Sequence, residues 1–179
     1  MEEFPVVIAP AVQALSDCEA VSSGFLAQPA NAVSSLALVA AAAWLLARSP
    51  DRVARAMAAA LFVAGVGSFA YHGPQPSWST AVHDAGVILV AITAVVVLLT
   101  GLMTRRLRVL GPPMVVLGAA LVFDLGGRTG GILCLSGSLL QAHAAWHALA
   151  AVGLAMLAGR VAAVREEPLP AVVPEAEEG

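Results

Sequence analysis

The stretch QAHAAWHALA, residues 141–150, places His143 and His147 four positions apart in an otherwise apolar run. In an α-helix, residues i and i+4 lie on one face about one turn apart, so both imidazoles can face one point. The apolar flanks predict a helix inside a membrane, where ionisable side chains are costly and indicate function. The stretch therefore predicts a membrane-spanning helix that supplies two ligands of a metal site.

The composition of the chain is that of an integral membrane protein. Of its 179 residues, 59% are hydrophobic and 12% are charged, and the mean hydropathy is +0.86. The length predicts one domain. No basic patch indicates a nucleic-acid partner, and no feature indicates a protein partner. The acidic start, MEEFPVV, is unlike a secretory signal peptide.

Five apolar segments predict an all-α bundle of about five transmembrane helices, each near the length that a hydrocarbon core of ~30 Å requires. The predicted spans are 29–47, 53–71, 79–101, 107–125 and 139–164. Residues 1–28 are too polar to span and are predicted to form an N-terminal strap, so the bundle covers 29–164. The proline-rich acidic tail, 165–179, is predicted to be disordered.

Arginines set the predicted orientation of the bundle. They follow the first, third and fifth spans, whereas the alternate loops contain only Arg128. By the positive-inside rule, the N-terminus is predicted outside and the C-terminus in the cytoplasm. The alanine-rich, lysine-free composition is typical of a GC-rich bacterial genome, so we expect the bacterial inner membrane.

This topology predicts a metal centre near the outer face. His72 ends the second span there, level with His143 and His147, and three neutral imidazoles with one open position are a ligand set of catalytic zinc. Ser68 precedes His72 by one helical turn, on the same face. Asp84, which begins the third span, is predicted to act as general base or to orient a ligand imidazole.

Two other polar residues at this level are given structural roles. His83 lies about 100° around the helix from Asp84, so it is predicted to face the membrane interface and not the metal. Asp124, at the outer end of the fourth span, is predicted to cap its helix or to bond to the following loop.

The motifs together resemble the CREST superfamily of membrane hydrolases, which includes alkaline ceramidases and the adiponectin-receptor group. The similar pieces are CEAVSSGFLAQPANAVSS, GSFAYH, HDAG and LLQAHAAWHAL. The resemblance implies a zinc site of His72, His143 and His147, with Ser68 and Asp84 as catalytic residues and a membrane lipid amide or ester as substrate. Family members have seven helices, whereas about 40 residues separate Asp84 from Asp124. The chain is therefore expected to be a reduced form.

The resemblance also bears on the strap. Asp17, Glu19 and Asn31 resemble parts of the calcium (Ca2+) site of some ceramidases, although Gln28 stands where a glutamate is expected. Cysteines in similar places in ceramidases imply a disulfide between the two cysteines of this chain. The alternative is a pair of separate buried thiols. The two residues are Cys18 and Cys134.

A second class of function stays open from the sequence. A non-enzymatic membrane protein would use the histidines to bind haem or a metal for electron transfer, transport or sensing. Bis-histidine haem ligation would need only two of the three histidines, and neither Ser68 nor Asp84. The adiponectin-receptor resemblance also admits a receptor role.

Overall fold

The structure, a computed structural model, describes residues 17–104 and 107–166. Most of the predicted strap and most of the predicted tail lie outside these residues. The described part is all-helical, and a short 3-10 turn, Leu107–Val109, precedes the fourth helix. The helices are α1 (Pro29–Arg48), α2 (Arg52–His72), α3 (Ser79–Met103), α4 (Gly111–Gly126) and α5 (Ala142–Glu166).

The predicted all-α architecture with five helices is confirmed, but the helices differ in reach. Four of them, α1, α2, α3 and α5, are long and apolar enough to cross a membrane. Helix α4 has 16 residues, which at 1.5 Å per residue gives a length of about 24 Å. Helix α4 begins at Gly111, later than the predicted start at residue 107, because Pro112 and Pro113 favour the first turn of a helix. It ends at Gly126. The orientation of the bundle stays a prediction.

Carboxylates cap the first two helices. The two carboxylate oxygens of Glu19 accept hydrogen bonds from the backbone N–H groups of Ala30 and Asn31, each at 2.8 Å. Asp51 caps α2 by accepting from Val53 N–H at 2.8 Å. A carboxylate at a helix N-terminus satisfies free donors and complements the helix dipole, so both helix starts are fixed.

The core lies where α2 and α5 meet α1. Helix α2 packs between α1 and α3, while α5 packs on α1 and α4. The largest fully buried apolar side chains in the described residues include Leu45, Met57, Leu61 and Leu157. Because α2 and α5 are the most buried of the spanning helices, side chains at their ends are the ones that reach the interior.

The described part of the strap, residues 17–28, lies across the end of α2. Its last residues are held there by two backbone bonds, from Ala27 N–H to Gly73 O at 3.1 Å and from Gln28 N–H to His72 O at 2.7 Å. At its other end, Cys18 and Cys134 form a disulfide. The strap therefore joins α2 to the loop that precedes α5, and the two cysteines are not separate thiols.

Two glycines allow α2 and α3 to touch. A Cβ atom at Gly86 would lie 2.5 Å from the Cα of Ala64, and one at Gly67 would lie 2.8 Å from the backbone nitrogen of His83. Carbon atoms cannot approach so closely, so any larger residue forces the helices apart. This contact sets which face of α3 is presented to the end of α2.

We predict that Gly86→Ala lowers the free energy of unfolding by about 1–3 kcal/mol, the usual cost of overpacking. Gly118→Ala in α4 is the matched control, because a Cβ there meets nothing within 4 Å. Alanine is the better helix former, so this control is expected to be neutral or to stabilise by up to about 1 kcal/mol. Denaturant titration in mixed micelles measures both. Equal effects of the two substitutions would contradict the close-packing argument.

Candidate metal centre

Three histidine side chains converge where the strap, α2 and α5 meet. His72 is the last residue of α2, and His143 and His147 lie in the first turns of α5. One ring nitrogen from each lies within 4.8 Å of the others. The exposed fractions of the three residues are 0%, 7% and 0%. The three predicted ligands are therefore brought together in the interior.

The inward nitrogen of each ring, Nε2, is buried and has no hydrogen-bond partner among the described residues. Buried polar atoms in folded proteins are almost always hydrogen-bonded, and leaving one unpaired costs about 1–3 kcal/mol. A cation that accepts their lone pairs would satisfy all three atoms. The site therefore fits a metal ion bound by three imidazoles.

The outer nitrogen of His72 fixes its tautomer. The Gln28 amide donates from Nε2 to Glu19 O at 2.9 Å, which turns Oε1 toward His72. That oxygen lies 2.7 Å from His72 Nδ1, so Nδ1 carries the proton and donates it. Nε2 is then a bare lone pair. An outer partner of this kind orients a ligand ring and raises its basicity.

His147 is held in the same way. Ser34 Oγ lies 2.9 Å from His147 Nδ1 and donates its own proton to Asn31 O at 3.0 Å. The hydroxyl oxygen therefore accepts from Nδ1–H, which leaves Nε2 of His147 unprotonated. Ser34 is not among the site residues predicted from the sequence.

Carboxylates lie near the outer nitrogens of His143 and His72. Asp124 Oδ1 is 3.8 Å from His143 Nδ1, and Asp17 Oδ2 is 3.9 Å from His72 Nδ1. The other oxygen of Asp124 pairs with Arg128 at 3.1 Å. Asp124 thus makes the local contact expected at the end of α4 and also lies against a metal-ligand candidate. Each of the three rings therefore has an oxygen near its outer nitrogen.

A polar cavity of about 310 Å³ opens beside the histidine cluster. Acidic, basic and aromatic side chains line it together with His143. A polar group would therefore have space beside this histidine. The lining residues of the cavity are Asp17, Tyr71, His83, Val87, Asp124, Arg128, His143 and Trp146.

The structure reverses the expected orientation of His83 and Asp84. The His83 ring lines the polar cavity, stacks on Tyr71 with 4.5 Å between centroids and lies 6.1 Å from the His72 ring. The side chain of Asp84 is 64% exposed and does not line that cavity. Its carboxylate accepts a hydrogen bond from His83 Nδ1 at 2.9 Å. Close packing of Gly67 against the His83 backbone turns this face of α3 toward the site.

The other predicted site residues have different positions. Ser68 is buried one turn before His72, but it does not line the polar cavity. The three calcium candidates are divided between two places, because Asp17 lines the cavity while Glu19 caps α1. The Asn31 side chain is buried, and its amide has no partner among the described residues.

No protein-family model, curated protein or solved structure matches this chain. What the site can do therefore follows from its own geometry and from the chemistry of its donors.

We predict that Ser34→Ala weakens metal binding about 10- to 100-fold, because it removes the acceptor that holds the His147 tautomer. Ser35→Ala is the matched control, since the Ser35 hydroxyl also bonds Asn31 O, at 2.8 Å, but reaches no histidine. We expect this control to bind metal like the wild type. Competition with a chromogenic chelator measures both dissociation constants. Equal loss in both variants would mean that Ser34 acts through helix α1 and not through His147.

Proposed function

We propose that this protein is a zinc-dependent integral-membrane hydrolase that cleaves a lipid amide, as in the ceramidases it resembles, or a lipid ester. One observation carries the proposal: three unpartnered imidazole nitrogens converge, and an open cavity lined by His143 lies beside them. Structural zinc sites are closed by four protein ligands, whereas catalytic ones have three and an open position. The described residues supply three histidines and space beside them.

The histidines would hold the metal through Nε2, and Gln28 and Ser34 would keep them in the binding tautomer. A zinc ion there would supply a Lewis acid that activates water and polarises a carbonyl group. Neutral imidazoles and a single divalent ion suit this chemistry, because zinc has no redox activity and prefers nitrogen or sulfur ligands.

Proton transfer is assigned to His83, with Asp84 acting through it. The bond from Nδ1 to the Asp84 carboxylate leaves Nε2 of His83 as the ring atom available to the cavity. That nitrogen takes a proton from the attacking water and returns it to the leaving group. Asp84 orients the ring through this hydrogen bond, so the role proposed for Asp84 is an indirect one.

A lipid substrate suits the surroundings of the site. A second cavity, of about 460 Å³ and mainly apolar, lies on the side of α5 toward the loop before it. Phe123 and Leu133 line it, as do Ala142 and Ala145 at the start of α5. An acyl chain in this cavity would leave the bond to be cleaved near the first turn of α5, where His143 lies.

The competing function is a non-enzymatic metal or haem protein. A metal sensor would use the same ligands but would not require His83. Haem would need a macrocycle between two histidines, yet the ring centroids of the three are only 4.6–5.5 Å apart. The geometry therefore favours a single metal ion.

We predict that the purified protein contains about one zinc ion per chain and that His72→Ala loses it, since three ligands are the minimum for this class of site. Metal analysis after purification without chelators measures this, beside hydrolysis of a panel of lipid amides and esters. Zinc without any acyl hydrolysis would support the sensor. A Soret band would identify haem and exclude the hydrolase.

We predict that His83→Gln retains the metal but lowers the hydrolysis rate about 10²- to 10⁴-fold, the usual contribution of a general base. Asp84→Asn keeps a hydrogen-bond acceptor for Nδ1 and is expected to lose less. Steady-state rates are compared with metal content in the same preparations. If Asp84→Asn lost more activity than His83→Gln, Asp84 would itself be the base.

A further inference from the structure

A basic cavity lies at the opposite end of the bundle from the histidines. It has a volume of about 390 Å³ and is lined by Arg48 and Ser49 at the end of α1 and by Arg160 on α5. The two arginines come from different helices and face one space. The Arg48 guanidinium carbon also lies 5.8 Å from the Trp44 ring centroid, so it is held over the aromatic face.

Neither arginine of this cavity forms an ion pair with a described residue, whereas the nearby Arg165 does. Arg165 Nε lies 3.0 Å from Asp51 Oδ2, so the Asp51 carboxylate is paired with Arg165 and not with an arginine of the cavity. Glu166 also lines the cavity and is exposed, and no ion pair joins it to either arginine in the described part of the chain. Within residues 17–104 and 107–166, no carboxylate pairs with either guanidinium group, so both face the cavity with their charge unneutralised.

An apolar groove continues from the basic cavity along the same two helices. It has a volume of about 500 Å³ and shares Trp44 and Met156 with the basic cavity. Small side chains form its walls and leave room between α1 and α5. Its alanines are Ala37, Ala40, Ala41, Ala148, Ala151 and Ala155.

The groove has the length of a lipid tail. From Ala37 to Arg48, helix α1 rises about 16 Å, which is roughly half of a ~30 Å hydrocarbon core and so the depth of one leaflet. An apolar groove of one leaflet's depth that ends at two arginines matches a molecule with an acyl chain and an anionic head.

We propose that one anionic phospholipid binds here, with its phosphate between Arg48 and Arg160 and one acyl chain in the alanine-lined groove. Guanidinium groups bind phosphate oxygens bidentately and are weakly hydrated, so arginine suits a headgroup at a membrane surface. Trp44 lines both the basic cavity and the groove, so it lies where head and tail would meet. This site is separate from the metal centre.

The test measures binding of phosphatidylglycerol to delipidated, detergent-purified protein by native mass spectrometry. We expect Arg48→Gln and Arg160→Gln each to weaken binding about fivefold, the contribution of one arginine near an anionic lipid. Arg55→Gln is the matched control, because Arg55 is an exposed residue near the start of α2 and does not line the cavity. Metal content is measured in all variants to establish that the bundle is intact.

Two further probes separate the lipid from other occupants. Ala40→Phe fills the groove, so it should weaken phosphatidylglycerol binding and leave any binding of inorganic phosphate unchanged. Phosphatidylcholine should bind more weakly than phosphatidylglycerol. The proposal is overturned if Arg55→Gln weakens binding as much as Arg48→Gln, which would indicate general surface attraction. It is also overturned if inorganic phosphate competes fully, or if Ala40→Phe leaves lipid binding intact.

Discussion

The structure depends on three buried imidazole nitrogens that lie close together and have no hydrogen-bond partner among the residues that it describes. Such an arrangement is unfavourable by itself, because each unpaired polar atom loses its bonds to water. It persists here because the opposite side of each ring lies beside an oxygen: Gln28 for His72, Ser34 for His147 and Asp124 for His143. The fold holds the rings in an orientation in which one metal ion could bind all three.

Gln28 couples this centre to the start of the bundle. Its amide links Glu19 to His72, and Glu19 in turn caps α1 through two backbone bonds. The same short segment therefore begins helix α1 and fixes one of the three candidate metal ligands. A glutamate at position 28 would lack the amide donor that turns the residue toward Glu19, so glutamine suits this arrangement.

The sequence predicted the helices well because long apolar runs require them, and it found His143 and His147 because i, i+4 spacing defines a shared face. It could not predict which way α3 is turned. The helical period predicts that His83 and Asp84 face different directions. Only the close contacts at Gly67 and Gly86 decide which of the two reaches the cavity. The supporting residues were missed for a related reason: Gln28 and Ser34 are distant from the histidines along the chain, and only the folded strap and α1 bring them close.

The disulfide has a consequence for how the protein matures. Cys18 and Cys134 are separated by 116 positions, so during synthesis the first cysteine emerges long before its partner and well before His143. The strap cannot be locked until Cys134 has been made, and the three histidines cannot come together until α5 follows it. The disulfide can therefore form only after α1 to α4 have been made, and a metal held by all three histidines would be acquired later still, once α5 is in place.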